Sequence, residues 1–126
     1  MKDLVQWLGA QLDADERIAR AATPGPWKQD PERVGFLASA EYWYVVDCSG
    51  TPTARENAEH VAKWDPARVL REIEAKRQII EQHKRYAAER RRMMGGWDPQ
   101  SDDSPILAAL ASVYADRPGY LEEWRP

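Results

Sequence analysis

The stretch "TPGPW", residues 23 to 27, constrains this chain more than any other, because a helix cannot run through it. Two prolines bracket Gly25, and a proline disfavours helical geometry at the residue before it, so Thr23 must leave whatever helix precedes it. Gly25 is expected to take the positive φ that a tight reversal needs. A phosphate cradle needs successive free amides at a helix N-terminus, whereas here two prolines lack an N–H and the stretch follows a helix. The segment reads as a corner, with Trp27 at its exit available for packing or for recognition.

The other breaks divide the chain around this corner. From Asp3 to Ala22 the apolar positions Leu4, Val5, Trp7, Leu8, Leu12, Ile18 and Ala19 follow helical spacing, with Asp3 as the expected N-cap and Asp13–Arg17 and Glu16–Arg20 as expected surface pairs. Beyond the corner, "FLASAEYWYVVD" carries the aromatic and β-branched run that strands favour. Trp27 to Gln29 is expected to begin a partner strand, with Pro31 and Gly35 in the connection. Such a sheet is marginal alone and has to pack against helices. Thr53 and Glu56 have capping-box spacing for a second helix, which stops at "WDP". There Asp65 is an N-cap and Pro66 fits the first helical position, so a third helix starts at once and runs to about residue 92. Its apolar seam Val69, Ile73, Ile80 and Ala87 is interrupted by Lys76 and His83. Glu72–Lys76 and Glu81–Arg85 are its expected ion pairs. Two glycines in "MMGGWDPQSDDSP" break it, and Ser104 with Pro105 opens a short apolar fourth helix. Trp124, close to the end of the sequence, is expected to dock the tail.

At 126 residues the chain fits one domain, and a globule of this size buries roughly two-thirds of the surface its unfolded chain exposes. The single cysteine, Cys48, has no partner for an intramolecular disulfide. "MKDLVQWLGAQLDADE" acquires acids before any long apolar run, so no signal peptide is read and the cytoplasm is the expected compartment. No apolar run approaches the ~20 residues of a membrane span. A net charge of -3 argues against non-specific nucleic-acid binding by the whole chain. The basic stretch at 84 to 92, with Tyr86 inside it, is adequately explained by the dipole at a helix C-terminus.

The sequence carries few groupings suited to chemistry. Glu56 and His60 lie four apart and share a helix face, with Glu59 and Asp65 near in sequence, and this is the one carboxylate–imidazole grouping. A zinc site would need further ligands from elsewhere, and neither HExxH nor a cysteine pair is present. "ENAE" has the ExxE spacing of magnesium-binding nucleotide pyrophosphatases, but Glu72 and Glu74 on the third helix are two apart and point differently. Cys48 has no basic neighbour in sequence to lower its pKa. No nucleophile elbow or Gly-rich phosphate loop occurs. Strand alternation puts Trp43 on one sheet face and Tyr42 and Tyr44 on the other, so one face is expected to be core and the other a surface for a partner.

Three segments, "DLVQWLGAQLDADERIARAATPGPW", "HVAKWDPARVLREIEAKRQIIEQH" and "ASVYADRPGYLEEWRP", together resemble a family of small actinobacterial proteins described as a domain of unknown function. The pairing of "ATPGPW" with "NAEHVAKWDPARVLREIE" is also similar to small accessory proteins of bacteriophages. The resemblance covers both ends and the centre of the chain. It implies a lineage and no reaction, and brings no catalytic residues with it.

These readings combine into one α+β domain over 1–126: a helix at 1–22, a small antiparallel sheet at 26–48, two helices at 53–92, a linker at 93–103, and a C-terminal helix and tail at 104–126. The small sheet packs against three to four α-helices, one of them long. The expected function is non-enzymatic, by protein–protein interaction or self-association through the long helix, whose seam at Ile73 and Ile80 is expected to exceed what the domain can cover. The alternative is a small-molecule or nucleotide-binding protein or enzyme using Glu56, Glu59, His60 and Asp65, with Trp27 or Trp43 stacking on the ligand. No catalytic residue, metal ligand or cofactor is assigned, and nucleic acid and membrane are not expected partners.

Overall fold

The computed structural model of the chain describes residues 2–93 and 104–126. The linker expected at 93–103 lies, Met93 apart, outside the described residues. Four α-helices and three strands follow in the order α1 (Lys2–Ala21), β1 (Lys28–Asp30), β2 (Arg33–Ala38), β3 (Glu41–Asp47), α2 (Ala54–Lys63), α3 (Pro66–Met93) and α4 (Pro105–Ser112), with a 3-10 turn at Glu122–Trp124. The fold is α+β, as the patterning predicts. It contains two compact units, Met1–Asp15 with Ile73–Pro126, and Glu16–Glu72, so that α1 and α3 each contribute to both.

The first unit is helical. Leu4, Leu8 and Leu12, four apart along one face of α1, are fully buried, as are Leu107 and Ala111 of α4. Each such leucine contributes about 1.5–3 kcal/mol through the apolar surface it removes from water. From α3 the same unit buries Ile73, Ile80 and Ala87, seven apart, at 3%, 6% and 7% exposure. The tail is docked as its tryptophan predicts. Trp124 is buried, with its ring centroid 5.4 Å from that of Trp7, and Tyr120 lies 5.7 Å from Trp7. Trp7 Nε1 donates to the Pro118 carbonyl (3.0 Å), and Gly119 at φ 89° leaves room for the indole. Asp13 ion-pairs with Arg77 of α3 (2.7 Å) rather than with Arg17, and Asp15 pairs with Arg117 (2.8 Å). A tertiary partner thus replaces the local one expected for Asp13, while the expected Glu16–Arg20 pair forms (2.8 Å). On α3 the expected pairs also shift: Glu81 meets Lys84, and Lys76 Nζ donates to Tyr114 Oη (3.0 Å).

The second unit holds the sheet, antiparallel in the order β1-β2-β3. Val34 of β2 is fully buried with Cys48 and Ala58, and Trp27, Val46, Ala54, Val61 and Ala62 pack around them. The helix packed on β1 and β2 is α2. The sequence expectations for Gly35, Thr53 and Asp3 are corrected here. Gly35 lies inside β2, not in a connection, beside an irregularity in the register with β3; a Cβ there would lie 2.5 Å from the Tyr42 ring, so the glycine lets that ring lie across the strand. The turn joining β2 and β3 is Ser39-Ala40, both at positive φ (51° and 67°), the backbone pattern of a two-residue type I′ hairpin without its usual Asn-Gly. Thr53 adopts left-handed geometry and makes no side-chain cap; its hydroxyl donates to the Pro52 carbonyl, so the capping box with Glu56 does not form. Nor is Asp3 an N-cap, since α1 already includes Lys2 and Asp3 falls in its first turn.

Candidate functional site

The corner and the α2–α3 junction meet inside the second unit. Asp65 is the residue that joins them. Its Oδ1 accepts from Arg68 N–H (2.9 Å), the N-cap bond of α3, while its Oδ2 accepts from Trp27 N–H (3.0 Å). Only 7% of Asp65 is exposed. Trp27 Nε1 closes the corner by donating to the Thr23 carbonyl (2.9 Å). The Gly25–Pro26 peptide is cis, and Gly25 is not at positive φ. Glycine is required there for a different reason than a left-handed turn: a Cβ would overlap Asp65 Oδ2, and it would sit 2.9 Å from Asp65 Cγ and 3.1 Å from Ala67 Cβ. The corner therefore packs its backbone directly against a carboxylate. Outside this lock, Trp64 is half exposed, with His60 on one side (ring centroids 6.0 Å apart) and the Arg68 guanidinium 4.0 Å above its ring.

This geometry separates the acidic and imidazole residues that the sequence grouped. Asp65 is committed to two backbone amides, Glu59 ion-pairs with Lys63 (3.1 Å), and Glu56 and His60 are exposed on α2. Among the described residues, no group of three or more His, Cys, Asp or Glu is arranged to hold a metal ion. Trp27 belongs to the core around Val34. Trp43 is 54% exposed, but neither face of β3 is covered around it: Tyr42, Tyr44 and Val45 are exposed as well. The expectation of one core face fails because β3 lies across β2 from β1, and α2 packs on β1 and β2. Tyr42 and Tyr44 stack edge to face (5.2 Å), with Arg33 4.9 Å from the Tyr44 ring. Arg33 also pairs with Asp47, whose carboxyl is held below the usual carboxylate range by the hydroxyl and backbone amide of Ser49 and by Arg33 itself.

The first unit carries the second candidate surface. Ile73 and Ile80 are buried, so the seam expected to await a partner is already covered. The exposed apolar residues of α3 lie on another side of the helix. Ala75, Ile79, Gln82 and Tyr86 repeat at spacings of four, three and four, and with Gln78, His83 and Ile106 of α4 they line a groove of about 530 Å³. Ile79, Tyr86 and Ile106 are 42%, 59% and 55% exposed. His83 stands at its margin, Nδ1 3.4 Å from Ser104 Oγ, and burial lowers its pKa below the ordinary imidazole value. The signal for this stripe was present as a 4-3-4 repeat, but α3 carries two such repeats and the sequence reading followed the buried one.

A family model described as "Family of unknown function (DUF6221)" matches residues 1–126. The chain belongs to this family. No curated protein and no solved structure matches it. Membership in DUF6221 thus carries no assigned activity, and the chemistry of the two sites has to be argued from their geometry. In this DUF6221 chain the Asp65 lock is an internal support, and the α3–α4 groove is a concave surface with apolar atoms to offer. No helix among the described residues is long and apolar enough to cross a membrane.

Proposed function

We propose that the chain is a non-enzymatic protein that acts by binding another protein along the groove between α3 and α4. The observation that carries this reading is the exposure of Ile79, Tyr86 and Ile106 around one concave surface. Amphipathic segments of partner proteins are commonly recognised in such grooves through apolar residues repeating every three to four positions. Exposed apolar residues gathered in one place mark interaction sites more often than singly scattered ones do. The alternative of a ligand or nucleotide site at Glu56, Glu59, His60 and Asp65 is not favoured, since both Asp65 oxygens are already satisfied by the backbone. With this function we infer a cytoplasmic location, which suits the free, buried Cys48. We also infer an actinobacterial, phage-related origin, which rests on the three sequence segments described above.

A photocrosslinking residue placed at position 79 tests the binding reading in cells. The expected outcome is an adduct of discrete mass that disappears when Ile106 is changed to Asp. The same probe at the exposed position 18 is expected to give none. Equal crosslinking from both positions, or none from 79, would overturn the proposal.

A further inference from the structure

Independently of the groove, we infer that the outer edge of β3 pairs with β3 of a second copy of the chain, antiparallel and centred on Trp43. The sheet has an edge at β1 and an edge at β3, and the chain treats them differently. β1 is three residues long, with Lys28 at its start and Pro31 directly after it, the short, charged, proline-bounded form that blocks further pairing. β3 runs for seven residues, and Tyr42, Trp43, Tyr44 and Val45 in its middle are exposed with no Lys or Pro among them. Among the described residues, no backbone group beyond β2 bonds to this stretch.

The hairpin decides which backbone groups face outward. Its turn is closed by Ala38 and Glu41, and hydrogen-bonded and non-hydrogen-bonded pairs alternate from there. Trp43 therefore turns its amide and carbonyl to Phe36 of β2, while Tyr42 and Tyr44 turn theirs to the open edge. The tyrosine rings leave that edge clear. They lean across Gly35 toward β1, where Tyr42 Oη donates to the Lys28 carbonyl (3.4 Å) and Tyr44 Oη to Asp30 Oδ2 (3.3 Å).

Charge and strand regularity select the same register. Pairing centred on Tyr44 would set Glu41 opposite Asp47 of the other copy at both ends, and like charges directly opposite destabilise. It would also run through the irregularity where Val45 has no opposite residue in β2. Centred on Trp43, Tyr42 of one copy exchanges backbone hydrogen bonds with Tyr44 of the other, and Glu41 lies opposite Val45. Trp43 then meets its own copy at a non-hydrogen-bonded position, where side chains approach most closely and aromatic pairs stabilise. The chain itself thus supplies the strand that fits this edge: an aromatic centre, hydrogen-bonding groups in phase beside it, and no acid facing an acid. The contact is isologous and closes at a dimer, because the edges left at the ends of the combined sheet are the protected β1 strands.

Sedimentation equilibrium of the full chain over rising concentration tests the inference. The expected result is a monomer–dimer equilibrium, with an exciton signal from paired indoles appearing in circular dichroism as the dimer forms. Trp43→Lys should weaken dimerisation ~10-fold or more and abolish that signal. Tyr44→Pro should also weaken dimerisation, because it removes an N–H that β2 does not use. Helical circular dichroism checks that each variant is folded, and Trp43→Lys, at an exposed side chain, carries the test if Tyr44→Pro is not. In a Cys48→Ala background, Trp43→Cys should form an intermolecular disulfide under mild oxidation. Tyr42→Cys, which faces Tyr44 and not its own copy, should form none.

A chain that stays monomeric throughout would overturn the inference, and so would a dimer that ignores Trp43→Lys. A dimer that Ile79→Asp abolishes and Trp43→Lys does not would overturn it in favour of self-association through the α3–α4 groove. Crosslinking from Tyr42→Cys as readily as from Trp43→Cys would overturn the register, and growth past the dimer into filaments would overturn the closed pair.

Discussion

Removing the Asp65 carboxylate should cost more than an ordinary helix cap, because it serves two chain segments at once. Loss of the Arg68 cap costs about 0.5–2 kcal/mol. Leaving the part-buried Trp27 amide without its acceptor adds about 1–3 kcal/mol. Asp65→Ala is therefore expected to destabilise by about 2–4 kcal/mol in all, a lowering of the melting temperature on the order of 10 °C for a chain of this length. Gly25→Ala should cost about 1–3 kcal/mol, since the added methyl has to displace a carboxylate held by two hydrogen bonds. The two changes should not add. With Asp65 shortened to alanine, the two worst overlaps of the new Cβ vanish, leaving the milder approach to Ala67 at 3.1 Å. The double variant should therefore be more stable than the sum predicts, by about 1 kcal/mol or more. Urea unfolding followed by tryptophan fluorescence reads all four proteins, since Trp27 and Trp64 flank the lock. Additivity within about 0.5 kcal/mol would show that Gly25 and Asp65 do not constrain each other, and the account of the corner would be wrong.

The hairpin turn gives a prediction of opposite sign: replacing Ser39-Ala40 with Asn-Gly should stabilise by about 1 kcal/mol, because both positions have positive φ and the new pair adopts it at less strain. A thermal melt that does not rise would contradict the type I′ reading. Gly119→Ala, at φ 89° with a Cβ 2.6 Å from Trp7 Nε1, should destabilise by about 2–4 kcal/mol and expose Trp124 to a fluorescence quencher. Unchanged quenching would mean that the tail docks without this close approach. Burial holds His83 below the ordinary imidazole value, so the unfolded chain takes up the proton first as the pH falls. The stability His83 contributes is complete above about pH 6.5 and declines below it. His83→Gln should flatten the fall in stability between about pH 7 and 5, measured by urea midpoints; equal slopes for both proteins would assign the effect elsewhere. Asp47 and Glu122 do not confuse this window, because their hydrogen bonds push their titration toward still lower pH.

What was legible in the sequence is what depends on near neighbours. Ser104-Pro105 and Asp65-Pro66 cap their helices as the residue types require, with Ser104 Oγ accepting from Leu107 N–H and Asp65 from Arg68 N–H. The exit of the chain at Thr23 follows from proline sterics alone. Several failures involve partners distant in sequence, although the Thr53–Glu56 capping box and the Asp3 cap fail locally. Nothing near Gly25 shows that a carboxylate forty residues later will press against it, and nothing near Asp13 points to Arg77. The Ser39-Ala40 hairpin was missed because neither residue signals a left-handed turn, so only the pairing of β2 with β3 imposes it.

The long helix shows most clearly why a site is harder to read than a fold. Residues 73, 80 and 87 and residues 75, 79, 82 and 86 both satisfy a helical repeat, and periodicity gives the spacing of a face without saying what lies against it. Helix length alone marks the more apolar set, with Ile73 and Ile80, as the uncovered one. Yet apolar content is what makes a face worth burying inside the chain, so the richer seam is the one found buried. The face left to solvent is the mixed one, in which glutamines alternate with Ile79 and Tyr86. Such a composition suits a surface that has to remain soluble alone and still lose water when a partner arrives, and it places the search for function on the weaker of the two repeats.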